Sequence, residues 1–487
     1  MRIKELDSLL QDKKSLLITL GISLLYVFPI LFADYEYLDD YGRNLFGYGW
    51  QHDGRFIATL LGKLCSLNSN NLSIYPFSLL LSTLILGFTG YILVSMAGIE
   101  KNKTVKWSSL LIITAPAFLG NLVYKFDCIP MSLSLSVVVL PYIFYNSRIK
   151  FVIASVIGVF LSLGLYQSSA TVFFMVGSLF LIRELINGEW KRFFINSGII
   201  LGVFLAAYVA YTVALKLLGL NMSDRAALII TEPKLNEMLA YNNTRFLDRI
   251  DLMLRSGNYK YYVSFTILFA VLGLVSVVYS AKRNVKRLVA LPLVLLVVAV
   301  NFWLISGVNM LLLKCNWDLR SYCGLGFFIV ICVFFQAYLK GSILEKISRF
   351  SVVLLVFFSF VLCAQFGKCL TLQTQFQNDF IAETKPFLSD KSLKKVGMIG
   401  ALTIAPKNYF SYSEFPLFEN LIQTPISQHS AWVKEALNIN SMLNDVSIEG
   451  SRVWVCKGEV VKESKFYIVR RIDASTLVFD FERNKCE

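Results

Sequence analysis

Apolar residues in this chain fall in continuous blocks of roughly 16–25 residues, with polar and charged residues confined to the gaps. That is the length a helix needs to cross about 30 Å of hydrocarbon. Such blocks lie at Ser15–Ala33, Ser73–Gly98, Ser108–Tyr124, Met131–Tyr145, Phe151–Tyr166 and Ser168–Ile182. Further along come Ile195–Leu218, Tyr261–Ala281, Leu288–Ser306, Cys323–Leu339 and Phe350–Gly367. The pattern predicts an α-helical polytopic membrane protein with about 11 transmembrane helices. A barrel is excluded, because its strands alternate in and out over about 10 residues. Arg2, Lys4, Lys13 and Lys14 precede the first block as in a signal peptide. Its apolar stretch is long and no small-residue cleavage site follows, so it reads as an uncleaved first helix.

Composition agrees with the pattern. Of 487 residues 56% are hydrophobic and only 16% charged, against usual shares of about 45–50% and about 25%. The net charge of +14 would suit a nucleic acid partner, but the basic residues sit at the ends of the apolar blocks. Topology and anionic headgroups therefore account for them, and no nucleic acid is expected. Nine cysteines without a CxxC pair and two histidines, His52 and His429, argue against a zinc site.

The gaps assign an orientation. Lys101/Lys103/Lys106, Arg148/Lys150, Arg183/Lys191/Arg192, Lys282/Arg283/Lys286/Arg287 and Lys340/Lys346/Arg349 occupy short loops on the side of the N-terminus. The positive-inside rule makes that side the cytoplasm, and an odd number of spans places the C-terminus outside. The chain thus divides into a transmembrane part, 1–367, with long outer loops at 34–72 and 219–260, and a C-terminal domain, 368–487. In the latter, strand-like runs at Lys395–Gly400, Arg452–Cys456, Phe466–Arg471 and Thr476–Phe481 predict a small α/β fold. Cys456 and Cys486 either pair there or stay free. Asp480-Phe-Glu482 reads as surface.

Candidate chemistry lies on the outer side. A short helix over Leu38–Phe46 would place Asp39 and Asp40 on one face with Arg43. Two adjacent carboxylates do not ionise independently, and one can be tuned to accept a proton near neutral pH. The plain alternative is a solvated acidic cap on the first span. Lys125-Phe-Asp127, Arg320 with Lys314 nearby, and Gln167 form a second set. Basic groups at an outer interface suit a phosphate, though each equally fits a snorkelling anchor. Gln167 suits a sugar hydroxyl or a helix cap. No Walker loop or dinucleotide fingerprint occurs, Asn242-Asn-Thr244 is a bare sequon, and no carboxylate cluster requires a metal.

The run DDYGRNLFGYGWQHDGR from Asp39 to Arg55, directly after the first span, resembles the signature of bacterial O-antigen glucosyltransferases. These are polytopic, serotype-converting enzymes of the GT-C class, the glucosyltransferase II-like family. YKFDCIPMSLSL (Tyr124–Leu135), LYQSSA (Leu165–Ala170) and LRSYCGLG (Leu319–Gly326) follow in the order of that family's Asp-, Gln- and Arg-bearing pieces. The C-terminal domain carries no matching motif.

The resemblance implies an inverting, metal-independent enzyme of the bacterial inner membrane with a periplasmic site and no cofactor. Its donor would be undecaprenyl-phosphate-linked glucose, made by a partner enzyme and turned outward by a flippase. Its acceptor would be a sugar hydroxyl of lipid-linked O-antigen. Asp40 or Asp39 would be the general base, with Asp40 preferred as nearer Arg43 along the chain. Arg43, Arg55, Lys125 and Arg320 would hold the departing phosphate, and Tyr48, Trp50, Asp53, Asp127 and Gln167 would contact sugar or acceptor. A transporter or flippase of lipid-linked saccharide is the alternative, and an O-antigen polymerase or ligase a third. Charges clustered in outer loops, without an internal repeat, favour the enzyme over the transporter.

Overall fold

The computed structural model describes residues 12–96, 107–220, 229, 234–254, 260–281, 285–315, 317–336, 342–431, 433–437, 439, 447–450, 454 and 456–484. The chain folds as two compact units. One comprises Met1–Leu31 and Gly49–Ala364, the other Phe32–Tyr48 and Gln365–Glu487.

The first unit is helical. Its elements are α1 (Lys13–Ala33), α3 (Phe56–Cys65), α4 (Phe77–Met96), α5 (Leu110–Ile113), α6 (Pro116–Leu122), α7 (Cys128–Val139) and α8 (Arg148–Leu165). Then come α9 (Val172–Asn187), α10 (Trp190–Leu217), α11 (Leu235–Leu254), α12 (Tyr261–Ala281), α13 (Val285–Trp303) and α14 (Gly324–Phe334). Helix α15 (Ile343–Leu388) begins here and runs on into the second unit. Six helices among the described residues, α1, α4, α8, α9 (with the turn at Gln167), α10 and α15, are long and apolar enough to cross a membrane. Leu201, Leu205, Val209, Val213 and Leu217, one turn apart along α10, are all exposed. A stripe of that kind suits hydrocarbon and not water. This is a membrane protein.

Polar side chains inside the bundle bond across helices, where the alternative is an unsatisfied group in hydrocarbon. Ser82 on α4 donates to the Cys128 carbonyl at 2.8 Å and meets Ser132 on α7, and Thr89 meets Ser136 one layer on. Small residues set the spacing. A Cβ at Gly158 on α8 would run into the Val137 carbonyl oxygen of α7. Gly158→Val is expected to cost about 1–3 kcal/mol through overpacking. A lowered unfolding midpoint in detergent, with the exposed Gly198→Val unchanged, would be the sign of it.

Three expected spans differ in detail. Ser108–Tyr124 is not one helix: α5 stops at Ile113 and α6 restarts at Pro116. Proline has no N–H to give and holds Ala115 in an extended conformation, φ −62° and ψ 138°. Every residue of α6 is buried, so the break is enclosed by protein and its backbone is shielded from lipid. Met131–Tyr145 becomes α7 followed by a 3-10 stretch, Leu140–Phe144, that carries Pro141. The last block runs far past Gly367, because Phe376, Phe380, Ile381 and Leu388 continue an apolar face for the second unit's core.

The second unit is a small α/β fold. Strands β1 (Lys395–Ile399), β2 (Ser447–Gly450), β3 (Glu459–Glu463), β4 (Ile468–Asp473) and β5 (Thr476–Asp480) form one sheet in the order β2-β1-β5-β4-β3. Strand β1 runs parallel to both neighbours, Met398 facing Phe479, and the β5-β4-β3 edge is antiparallel. Val396, Met398, Val469, Leu477 and Phe479 form the core with Phe380 and Tyr467, whose rings meet edge to face at 4.9 Å. Helices α16 (Tyr409–Glu414), α17 (Leu417–Leu421) and α18 (Val433–Ala436) lie between β1 and β2. Asp480 is a correction to the surface reading: it is fully buried, accepting from the backbone N–H groups of Glu482 and Asn484 and from the Asn484 amide. Cys456 is disulfide-bonded. Cys486 and most of the expected strand Arg452–Cys456 lie outside the described residues.

Candidate active site

Helix α2 (Leu38–Phe46) occupies the residues expected of it, but it belongs to the second unit. Asp39 and Asp40 stand in its first turn, where the positive end of the helix dipole favours negative charge, and Arg43 stands in its last. Asp40 accepts from the Tyr37 N–H at 3.3 Å. Gly47, at φ 60° and ψ 22°, closes the helix by donating to the Arg43 carbonyl at 2.9 Å. Tyr41 packs against the second unit's core. Burial, and then the charges of Glu36 and Asp40, push its hydroxyl well above the usual tyrosine range.

The two aspartates differ sharply in access. Asp40 is wholly buried, whereas the Asp39 side chain is 39% exposed and pairs with the buried Arg43 at 4.0 Å. Arg43 lies over the Tyr48 ring, 5.3 Å from its centre, and the Tyr48 hydroxyl reaches the Asp39 carbonyl at 3.5 Å. The arrangement offers a reachable carboxylate beside a fixed cation and a half-buried aromatic face.

The motif divides at the Tyr48–Gly49 bond, and its remainder belongs to the first unit. Trp50 is buried against Ala58, Phe126 and Leu165. Its indole N–H donates to Asp127 at 2.9 Å, and its backbone N–H donates to the Thr59 hydroxyl at 2.8 Å. Arg55 pairs with Asp127 at 3.0 Å, both nearly inaccessible, and donates to the Leu165 carbonyl at 2.8 Å. Its guanidinium also packs on the rings of Trp50 and Tyr166, at 5.6 and 5.1 Å. Asp53 is exposed; its carbonyl accepts from Gln167 at 2.8 Å, and Gln167 also donates to the Tyr211 hydroxyl at 3.3 Å.

Lys125 and Arg320 belong to the same unit. Lys125 stands over the Tyr75 ring at 4.9 Å. Arg320, partly buried, donates to the Tyr124 hydroxyl at 2.7 Å, packs on the same ring at 4.9 Å and pairs with Asp318 at 3.3 Å. Tyr166 lies within electrostatic reach of both Arg320 and Arg55. Arg55, Lys125 and Arg320 thus each pack on an aromatic ring, a pairing of residue types that suits a phosphate or sugar-phosphate.

Several of these groups escape sequence reasoning. Tyr124 and Tyr166 read as the ends of spans, although both fall within the quoted motifs. Thr59 and Tyr211 lie inside helices and give no local signal.

A family model described as glucosyl transferase GtrII matches residues 28–331, more than half of the chain. An uncharacterized 55.3 kDa protein in the gtrB 5′ region of Salmonella phage P22 is 25% identical over 453 residues, covering 88% of this chain and 90% of that protein. The matched segment holds all four of the motifs quoted above.

Proposed function

Because the chain belongs to the glucosyl transferase GtrII family, a family of glucosyl transfer in O-antigen modification, we propose that it takes glucose from undecaprenyl-phosphate-glucose. The acceptor is a sugar hydroxyl of lipid-linked O-antigen at the periplasmic face of the inner membrane. The observation that carries the reading is the acidic helix, Asp39 to Arg43, held immediately after the first span.

In this proposal the acceptor oxygen attacks the anomeric carbon from the face opposite the phosphate. The carbon–oxygen bond to the phosphate breaks, and the configuration inverts. Asp39 takes the acceptor's proton, because its carboxylate is reachable where that of Asp40 is not. Asp40 holds the start of α2, and Arg43 stands beside the Asp39 carboxylate, 4.0 Å away. Lys125 and Arg320 are the cations for the departing polyprenyl phosphate, a role in which fixed charge stabilises charge as it develops. Arg55 is held by Asp127 and the Leu165 carbonyl, so it and the buried Trp50 position Asp127 and the turn at Asp53. Tyr48 offers a sugar-stacking face, and Gln167 fixes the backbone at Asp53 for the acceptor.

No nucleotide sugar, cofactor or metal enters the scheme. The donor requires a synthesising enzyme and a flippase as functional partners. Purified full-length protein given synthetic polyprenyl-phosphate-glucose and lipid-linked O-antigen is expected to form glucosylated product at the same rate with and without EDTA. Folded protein that forms no product from any polyprenyl-phosphate sugar would end the proposal.

A further inference from the structure

A cavity of about 340 Å³ opens in the first unit between the 3-10 stretch after α7, the C-terminal end of α9 and the start of α10. Its size is within the range of small-ligand sites, about 300–1,000 Å³. The helix ends around it carry Arg148/Lys150 and Arg183/Lys191/Arg192, so it belongs to the basic end of the bundle, away from the residues assigned to transfer.

Its chemistry is two-signed. Glu184, only 5% exposed, sits in the wall. Its Oε1 accepts from the Tyr145 hydroxyl at 3.1 Å and the Asn196 amide at 2.6 Å, and pairs with Arg192 at 3.4 Å. Its Oε2 is buried and accepts no hydrogen bond among the described residues. Arg192 is also tied to Glu189 at 3.0 Å and to Asn146 at 3.2 Å. The remaining cation of the wall is Arg183, which is exposed. The rings of Tyr145 and Phe180, tilted against each other with centres 4.5 Å apart, line one side.

Two arginines and two glutamates leave the lining balanced, which disfavours a purely anionic ligand. A buried carboxylate oxygen lacking a donor, beside aromatic rings, suits a primary ammonium. Arg183 at the mouth suits a phosphate. Ile149 at the start of α8 and Phe194 in the second turn of α10 are exposed apolar side chains that fit acyl chains.

We propose that this cavity binds the headgroup of an ethanolamine phospholipid, the ammonium on Glu184 Oε2 and the phosphate on Arg183. Choline lacks the N–H that Oε2 needs, and glycerol headgroups lack the cation.

The test uses the full-length protein in detergent, with lipid retention read by native mass spectrometry. Phosphatidylethanolamine is expected to be retained about tenfold better than phosphatidylcholine or phosphatidylglycerol of the same chains. Glu184→Gln should remove that preference, and Arg183→Gln should weaken retention of all three lipids. Equal retention of the three by the wild-type protein overturns the proposal whatever the variants do. Displacement of the lipid by soluble O-phosphoethanolamine at equal concentration would overturn the lipid assignment and give the site to a free zwitterion.

Discussion

Asp39→Asn is expected to lower glucosyl transfer by about 10²–10⁴-fold, the usual contribution of a positioned general base. The replacement keeps the shape and removes the basicity. The Asp39 side chain is 39% exposed and its ion pair with Arg43 is long, at 4.0 Å, so little folding energy rests on that pair. Asp40→Asn should behave in the opposite way. Asp40 is buried and accepts from the Tyr37 N–H, so its loss lowers the unfolding midpoint and reaches transfer only through that. Initial rates with polyprenyl-phosphate-glucose, beside unfolding curves for both variants, separate the two roles. An active Asp39→Asn and an inert, fully stable Asp40→Asn would move the base to Asp40.

The largest expected effect on stability is at the Arg55–Asp127 pair. Removing one partner of a buried ion pair typically costs about 3–5 kcal/mol, because the other charge stays in a site with no water to receive it. Arg55→Met should fall in that range: Asp127 keeps the Trp50 N–H but loses the cation. Replacing both, as Arg55→Met with Asp127→Leu, should recover much of the loss, since the surroundings are apolar: Ala58, Phe126 and Leu165. A double-mutant cycle on detergent unfolding gives the coupling directly. Additive losses would mean that the two side chains act independently, and that Arg55 is held chiefly by the Leu165 carbonyl and the Tyr166 ring.

How much of this could be read beforehand depends on the range of the interaction. The helices were legible because hydrocarbon imposes a length and an all-round apolarity that one stretch of sequence displays by itself. Helix α2 was legible too, since its acidic first turn, basic last turn and closing Gly47 are local signals. Other features were hidden by partners distant in sequence. Nothing near Asp127 reveals that it receives an indole N–H from residue 50 and a guanidinium from residue 55. Asp480 looked like surface because its donors, Glu482 and Asn484, bind it only once the chain turns back on itself. Strands β2 and β3 were missed for a different reason: both are short sheet edges, and β3 is rich in charge, the composition that keeps edges from pairing with other chains. The break at Pro116 was overlooked because the surrounding apolarity is continuous, although the proline itself marked it.

Helix α2 shares its unit with residues more than three hundred positions further along the chain. Tyr41 packs on the same core as Phe479, and the Tyr35 hydroxyl donates to the Gln423 carbonyl at 2.6 Å. The heritable module is therefore discontinuous. A recombinant that imports only the C-terminal quarter from a relative would seat its own acidic helix on a stranger's hydrophobic surface, however well each part suits its original partner. Specificity swaps between relatives should work when residues 32–48 travel with the tail and fail when they stay behind. Natural exchange within such families would leave matching ancestry in those two distant stretches, with a different history in the span-rich sequence between them.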